Sequence, residues 1–221
     1  MKKKVLMSWS SGKDSAWALH KLQSDPAFDC IGLFCTVNKK FDRVAMHGVR
    51  IELLKMQAER LGLPLRLIEI PYPCSNNDYE SLMGECIQQA EQDGIDCFAF
   101  GDLFLEDIKN YRLDTLKNSR IEAIFPIWQI PTKQLAETMI SSGIKAILTC
   151  VVPKQIPEQF AGRVFNQELL DELPLSVDPC GENGEFHSLV VDAPNFSYPI
   201  DIKLGKVIER DGFVFADVMA V

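Results

Sequence analysis

Short apolar runs alternate with stretches of helical period along the first part of the chain. The runs at 5–7, 29–37, 65–70, 96–102 and 122–128 read as strands, and the segments 15–23, 49–62, 78–94 and 108–118 between them read as helices. In 49–62, Ile51, Leu54, Ala58 and Leu61 recur at spacings of three and four, and Gly62 closes the pattern. Strands that alternate with helices predict a parallel sheet covered on both faces, an α/β fold. In such sheets ligands sit outside the carboxyl ends of the strands, where strand order reverses. Three segments fall at such ends: the residues after 5–7, the stretch 38–48, and Gly101-Asp102.

From about residue 130 the character changes. Thr132 is placed to N-cap a helix that Gly143 closes, 144–152 reads as a strand, and 157–174 reads as helical with Pro157 at its start. A turn-rich, charged stretch follows at 177–196. The last residues, 200–221, hold two strand-like runs around Asp211-Gly212, a strong hairpin signal. The expected organisation is therefore a larger unit over 1–130 and a smaller α+β unit over 131–221, closely packed, with neither internal repeats nor a long linker.

Composition narrows the partners. With 221 residues, 47% of them hydrophobic, the chain can bury a sizeable core. The net charge of −8 argues against a general affinity for nucleic acid backbone. After "MKKK" only Val5, Leu6 and Met7 are apolar, too few for a secretory signal, and no run approaches the ~20 apolar residues of a membrane span. The seven cysteines form no CxxC pair, so a reducing cytoplasm without a disulfide framework is expected.

The densest chemistry lies in "VLMSWSSGKDSAWAL", residues 5–19. The Walker A pattern fails, because Asp14 follows Gly12-Lys13 and Met7 stands where its first glycine belongs; GxGxxG fails for want of glycines. What remains, residues 10–15 between a strand and a helix, still suits an anion. Backbone N–H groups at a helix start, the Ser10, Ser11 and Ser15 hydroxyls and the Lys13 charge converge there. Asp14 beside a phosphate makes sense if it holds Mg²⁺ or caps the helix. On spacing alone, an ordinary capped helix after a tight turn explains these residues equally well.

This loop resembles the SGGxDS loop of the PP-loop ATP pyrophosphatases, which cut ATP between the α and β phosphates; Ser11 replaces the first of the two usual glycines. A second motif, "DPCGENGEFHSLVVDAPNF" at 178–196, resembles the C-terminal signature of the diphthine–ammonia ligase family. The segments "MHGVRIELLKMQAERLGLPL" (46–65), "GDLFLEDIKNYR" (101–112), "PIW" and "MISSGIKAILTCV" are similar to that family's successive blocks, so the resemblance spans essentially the whole chain.

The resemblance implies a Rossmann-like (HUP/PP-loop) sheet with an ATP-binding domain over 1–130 and a substrate-binding domain over 131–221. It implies that Ser10, Gly12, Lys13, Asp14 and Ser15 bind the pyrophosphate part of ATP, with Ser11 in the replaced position. His47, Gly48, Gly101 and Asp102 would lie near the nucleotide, and Asp14 and Asp102 would help hold Mg²⁺. The chemistry implied is adenylation of a carboxylate, with release of pyrophosphate, followed by attack of ammonia to give an amide and AMP. Glu182, Asn183, Gly184, Glu185 and His187 would form the loop that holds ammonium and takes its proton. The acceptor would be diphthine on elongation factor two or another carboxylate. For each of these residues a bland role stays open: His47 as a turn residue, His187 as an exposed strand residue, the glutamates as solvated loop charges. Trp128 reads equally as a substrate-side residue or as packing between the two parts. A tRNA-modifying PP-loop enzyme and a nucleotide-binding module without catalysis are the competing functions, and a homo-oligomer is left open.

Overall fold

The computed structural model describes residues 1–45 and 47–221; Met46, first residue of the 46–65 segment, lies outside them. Strands β1 (Lys3–Ser8), β2 (Phe28–Asn38), β4 (Leu65–Ile70), β5 (Cys97–Ala99) and β6 (Glu122–Ile124) are parallel. β1 is central, flanked by β2 on one side and by β5 and then β6 on the other; β2 also pairs with β4 and, antiparallel, with the two-residue β3 (Arg43–Val44). The chain thus leaves β1 in one direction and later returns to its other side. The crevice where the order reverses lies at the carboxyl ends of β1 and β5.

Period-two alternation explains the two covered faces. Val5 and Met7 of β1, Leu33, Cys35 and Val37 of β2, and Cys97 and Ala99 of β5 point into one core with helices α1 (Lys13–Gln23) and α2 (Ile51–Leu61). Leu6, Phe34 and Phe98 point the other way, against Met83, Ile87 and Ala90 of α3 (Asn76–Gln92) and Leu116 of α4 (Glu106–Leu116). Gly62 caps α2 at φ 66°, as the pattern predicts.

A second, antiparallel sheet follows α5 (Thr132–Ser141), in the order β8-β7-β10-β9, from β7 (Lys145–Val151), β8 (Phe186–Asp192), β9 (Ile202–Arg210) and β10 (Phe213–Ala220). The hairpin at Asp211-Gly212 is present, with both residues at positive φ (54° and 80°). Two readings of this half need correction. Pro131, not Thr132, occupies the N-cap of α5, and its carbonyl accepts the first helical hydrogen bond, from Leu135 N. The stretch 157–174 is not one helix: a 3₁₀ turn (Glu158–Phe160) and the short α6 (Gln167–Glu172) flank 162–165, which runs beside β7 through Gly162 N to Leu148 O and Phe165 N to Ala146 O. The turn-rich stretch at 177–196 holds β8 (Phe186–Asp192) between two loop segments, so Asp192 is a strand-end residue.

The first core continues from Met7 and Trp9 into Leu148, Leu189 and Val190 of the second sheet, so the two sheets share one apolar interior. Asp217 of β10 reinforces the join, accepting from Arg50 Nε (3.1 Å) and Nη2 (2.6 Å) and from Arg43 Nη1 (3.0 Å). The division proposed at residue 130 falls between the last strand of one sheet and the first of the other. Among the described residues no helix is long and apolar enough to cross a membrane.

Candidate active site

A cavity of about 230 Å³ opens at the crevice between β1 and β5, and β8 closes its far side. Ser10, Lys13, Asp14, Ser15, Gly101 and Asp102 line it from the first sheet, with His47; Glu182, Gly184 and His187 line it from the second half. The structure therefore brings together most of the residues singled out above, although some of them lie 170 or so positions apart in the chain.

The loop after β1 is held from several directions. Gly12 is the N-cap of α1, so Asp14 stands inside the first turn and does not cap it. A Cβ on Gly12 would come within 3.2 Å of Ser188 O and 3.3 Å of His47 Cε1, and one on Gly101 within 2.9 Å of Ser15 N. Glycine at these two points lets β5, β8 and the helix start converge. Ser15 Oγ donates to Gly12 O (3.0 Å) and lies 3.1 Å from Ser10 Oγ, while Lys13 N donates to Ser188 Oγ (3.2 Å).

Ser11 does not line the cavity. It is fully buried at φ 69°, where glycine is favoured, and its Oγ has no partner among the described residues. Its carbonyl accepts from Val190 N (2.9 Å) and from Gln57 Nε2 (3.0 Å). Gln57, also fully buried, donates to Val190 O (2.7 Å) and accepts from Trp9 Nε1 (2.8 Å). One amide on α2 thus fastens the loop to β8. The sequence carried a signal for it, a glutamine at a buried position of the helix one residue before Ala58.

Lys13 is 1% exposed, with its chain between the Phe165 and Phe186 rings and its ammonium 5.4 and 5.1 Å from their centroids. The ammonium donates to Asp14 Oδ2 at 2.9 Å and to Cys180 O. Burial pulls its pKa down most strongly, but Asp14, Cys180 and Asp178 together outweigh it, and the result is raised above the ordinary lysine value. A permanent positive charge therefore sits under the cavity floor. Asp14 Oδ1 is buried and, among the described residues, unpartnered, an acceptor without a donor beside that charge. Asp102 accepts from Arg112 Nε (3.3 Å), whose guanidinium lies 5.0 Å from the Phe100 ring; Phe100 and Arg112 also line the cavity and were not anticipated.

On the opposite wall, the loop at 178–185 is knotted by its own side chains. Asp178 Oδ1 accepts from Cys180 N (2.9 Å) and Glu182 N (3.2 Å). Glu185 Oε1 accepts from Asp178 N (2.9 Å) and Asn183 Nδ2 (3.1 Å). Glu185 is 2% exposed and Asn183 is exposed; neither lines the cavity, so the expected loop site divides. Glu182 does reach the cavity, and its Oε1 accepts from Leu103 N at 2.8 Å. Burial raises its pKa to about 7, opposed by that hydrogen bond and aided by Asp14. His47 and His187 lie 4.5 Å apart, centroid to centroid. Burial, then Lys13, lowers His187 to about 4, and burial with His187 lowers His47 well below its ordinary value, so both rings are neutral at pH 7. Gly48, expected near the nucleotide, lines a different cavity, with Phe215 Cδ1 only 2.9 Å from where its Cβ would be. Trp128 is not in the wall either; it packs on Phe125 and under the Lys109 ammonium (4.4 Å). All seven thiols are free, and burial pushes Cys150 up to about 12 and raises Cys180 further, so neither is poised as a thiolate.

Fold and site together define a Rossmann-like α/β protein of the PP-loop type, with an anion-suited helix start at the reversal of strand order. Its chain belongs to the diphthamide synthase family: the family's N-terminal domain model matches residues 1–119 and its C-terminal domain model matches residues 131–217. It is similar to a diphthine–ammonia ligase of Bos taurus, 26% identical over 236 residues that span 95% of this chain and 86% of the relative. The diphthine–ammonia ligase of Homo sapiens is 25% identical over the same shares, and that of Danio rerio 25% identical over 81% of this chain and 76% of its own.

Proposed function

We propose that this protein is an ATP-dependent, AMP-forming amide ligase that adenylates an acceptor carboxylate and then transfers ammonia to it. That it is an enzyme, a ligase that forms a carbon–nitrogen bond, follows from the family. The observation that carries the finer reading is the convergence, in one cavity, of the α1 start over a buried lysine with a carboxylate whose pKa stands near 7.

The N–H groups of Asp14 and Ser15 at the start of α1 and the Ser10 hydroxyl offer donors for the phosphates, and Lys13 places a positive charge behind them. Mg²⁺ fits the donor set: the unpartnered Asp14 Oδ1 and the Asp102 carboxylate line the cavity, and magnesium takes one or two carboxylates together with substrate phosphates. Among the described residues no group of three or more His, Cys, Asp or Glu side chains is placed to hold a metal ion. When bound, the ion neutralises charge on the departing pyrophosphate.

Glu182 takes the proton of the attacking amine, since ammonia reaches the protein mainly as ammonium and a carboxylate titrating near 7 can accept its proton and release it again. Neutral His187 and His47 line the same wall and orient the amine. Glu185 and Asn183 act at one remove, by holding the loop that presents Glu182.

The test is a product analysis. With ATP, Mg²⁺, ammonium and elongation factor two bearing diphthine, the reading predicts AMP, pyrophosphate and the amide in equal amounts. ADP and phosphate would refute it. AMP formation only with a different carboxylate would keep the ligase and replace the acceptor.

A further inference from the structure

A second cavity, of about 340 Å³, lies where the hairpin tip of the second sheet meets the loops after β2 and β4. Its walls are aromatic. Phe41 and Tyr72 stand 4.9 Å apart at 67°, and Phe213 and Phe215 stand 6.2 Å apart at 42°. Its rim is cationic. The Arg210 guanidinium lies 5.2 Å from the Phe41 centroid and 5.0 Å from that of Phe215, and the Lys40 ammonium lies 5.5 Å from Phe41 and 5.0 Å from Tyr72. Arg43 also lines the cavity, but Asp217 holds it. Lys40, just outside the lining, makes no ion pair among the described residues; Asp211 also lines the cavity, but it is exposed and meets Arg210 only at 3.9 Å, so Lys40 and Arg210 leave the rim net positive. In a chain of net charge −8 this is a local reversal of sign.

We propose that this cavity binds a flat aromatic or heteroaromatic group carrying negative charge. Ring faces favour a flat conjugated body, which can stack where the Arg210 guanidinium already bridges two rings. Lys40 and Arg210 attract an anion and repel a cation. The loop that carries Phe41 is formed in advance, because Asn38 Oδ1 accepts from Lys40 N (3.0 Å) and Phe41 N (3.3 Å).

Position gives the site its use. Val44, Ala45 and Gly48 line this cavity, whereas His47, between them in sequence, lines the phosphate cavity. One short segment is thus a wall common to both. The occupant would therefore lie beside a ligand in the phosphate cavity, and the binding site stands whether or not the ligase reading holds.

The test is calorimetric titration of the intact protein with 2-naphthoate, with cyclohexanecarboxylate and 2-naphthylmethylamine as controls. The proposal predicts that naphthoate binds, that each control binds at least about tenfold more weakly, and that Arg210→Glu and Phe215→Ala each weaken naphthoate by about tenfold or more, corresponding to about 1.4 kcal/mol. Arg210 is exposed, so its variant keeps the fold. ATP binding with Mg²⁺ should stay within about twofold in both variants. The proposal is overturned by absence of naphthoate binding at millimolar concentration, by equal binding of the amine, by indifference to both substitutions, or by displacement of naphthoate by ATP. A finding of ADP as the nucleotide product would remove the ligase reading and leave these results standing.

Discussion

The two loops that face each other across the phosphate cavity are built on opposite plans. The loop at 9–15 is held from outside: Gln57 of α2 takes Trp9 and Ser11, Ser188 of β8 takes Lys13 N, and Gly101 admits β5 against the helix start. The loop at 178–185 holds itself, through Asp178 and Glu185. They meet where the Lys13 ammonium donates to Cys180 O. A loop that must leave part of its polar surface to a multiply charged anion takes its rigidity from neighbours such as Gln57 and Ser188. A loop that offers one carboxylate can use the rest of its polar groups to brace itself. Damage to the first loop's braces should therefore appear as lost stability together with lost nucleotide affinity, whereas damage at the tip of the second should appear in the chemistry alone.

The largest effect expected is at the junction. Lys13→Ala removes the charge behind the phosphates and leaves Asp14 unpaired, and AMP formation should fall by about 10²–10³-fold. A smaller loss would mean that the helix start alone neutralises the leaving group. Glu182→Gln comes next, with amide formation reduced by about 10²-fold. The sign of its pH dependence is fixed: because burial holds the Glu182 pKa at about 7, the carboxylate forms only as pH rises through that value. The amidation rate should rise there in the parent protein and lose that inflection in the variant. A profile unchanged by the substitution would remove Glu182 from the proton path.

Gln57→Leu probes the external bracing. It leaves Trp9 Nε1 and Val190 O without their side-chain partner in a dry interior, and urea unfolding should show a loss of about 2–3 kcal/mol. ATP affinity should weaken alongside; unchanged affinity would break the contrast between the two loops. The smallest effect is at Ser11, which holds a left-handed backbone and buries an unpartnered hydroxyl. Ser11→Gly should stabilise the protein by about 1 kcal/mol in thermal denaturation. A loss of stability would show that the hydroxyl makes a contact worth more than the strain.

The sheet was legible because its strands are short, nearly continuous apolar runs, as a doubly covered sheet requires, and because helices end at glycines such as Gly62, at φ 66°. The helix start at residues 12–15 was legible because strand, small residues and helix follow one another locally. What escaped depends on contacts distant in sequence. Ser188 and Gln57 become part of the site only once β8 is laid against α1, and Arg112 only once α4 swings it toward Asp102. The stretch 157–174 has apolar residues at helical spacing, but Gly162, at φ 86°, breaks it, and β7 offers 162–165 a better set of backbone partners. Ser11 was visible as a substituted glycine; that it lies beneath the cavity, and that its cost is backbone strain, is visible only in three dimensions. That Glu182 lines the cavity and Glu185, three residues on, does not, follows from which way the loop turns at Gly181 and Gly184.

The account's central claim is that the start of α1 grips the phosphates of ATP while Glu182 faces them from the second half. A crystal structure with Mg²⁺ and an ATP analogue whose α–β bridging oxygen is replaced by methylene tests it most directly. The account predicts the triphosphate on the first turn of α1, among Ser10, Ser15 and Gly101, with the metal on Asp14 or Asp102 and Glu182 across the cavity. A nucleotide seated elsewhere, or one whose phosphates point away from α1, would contradict it.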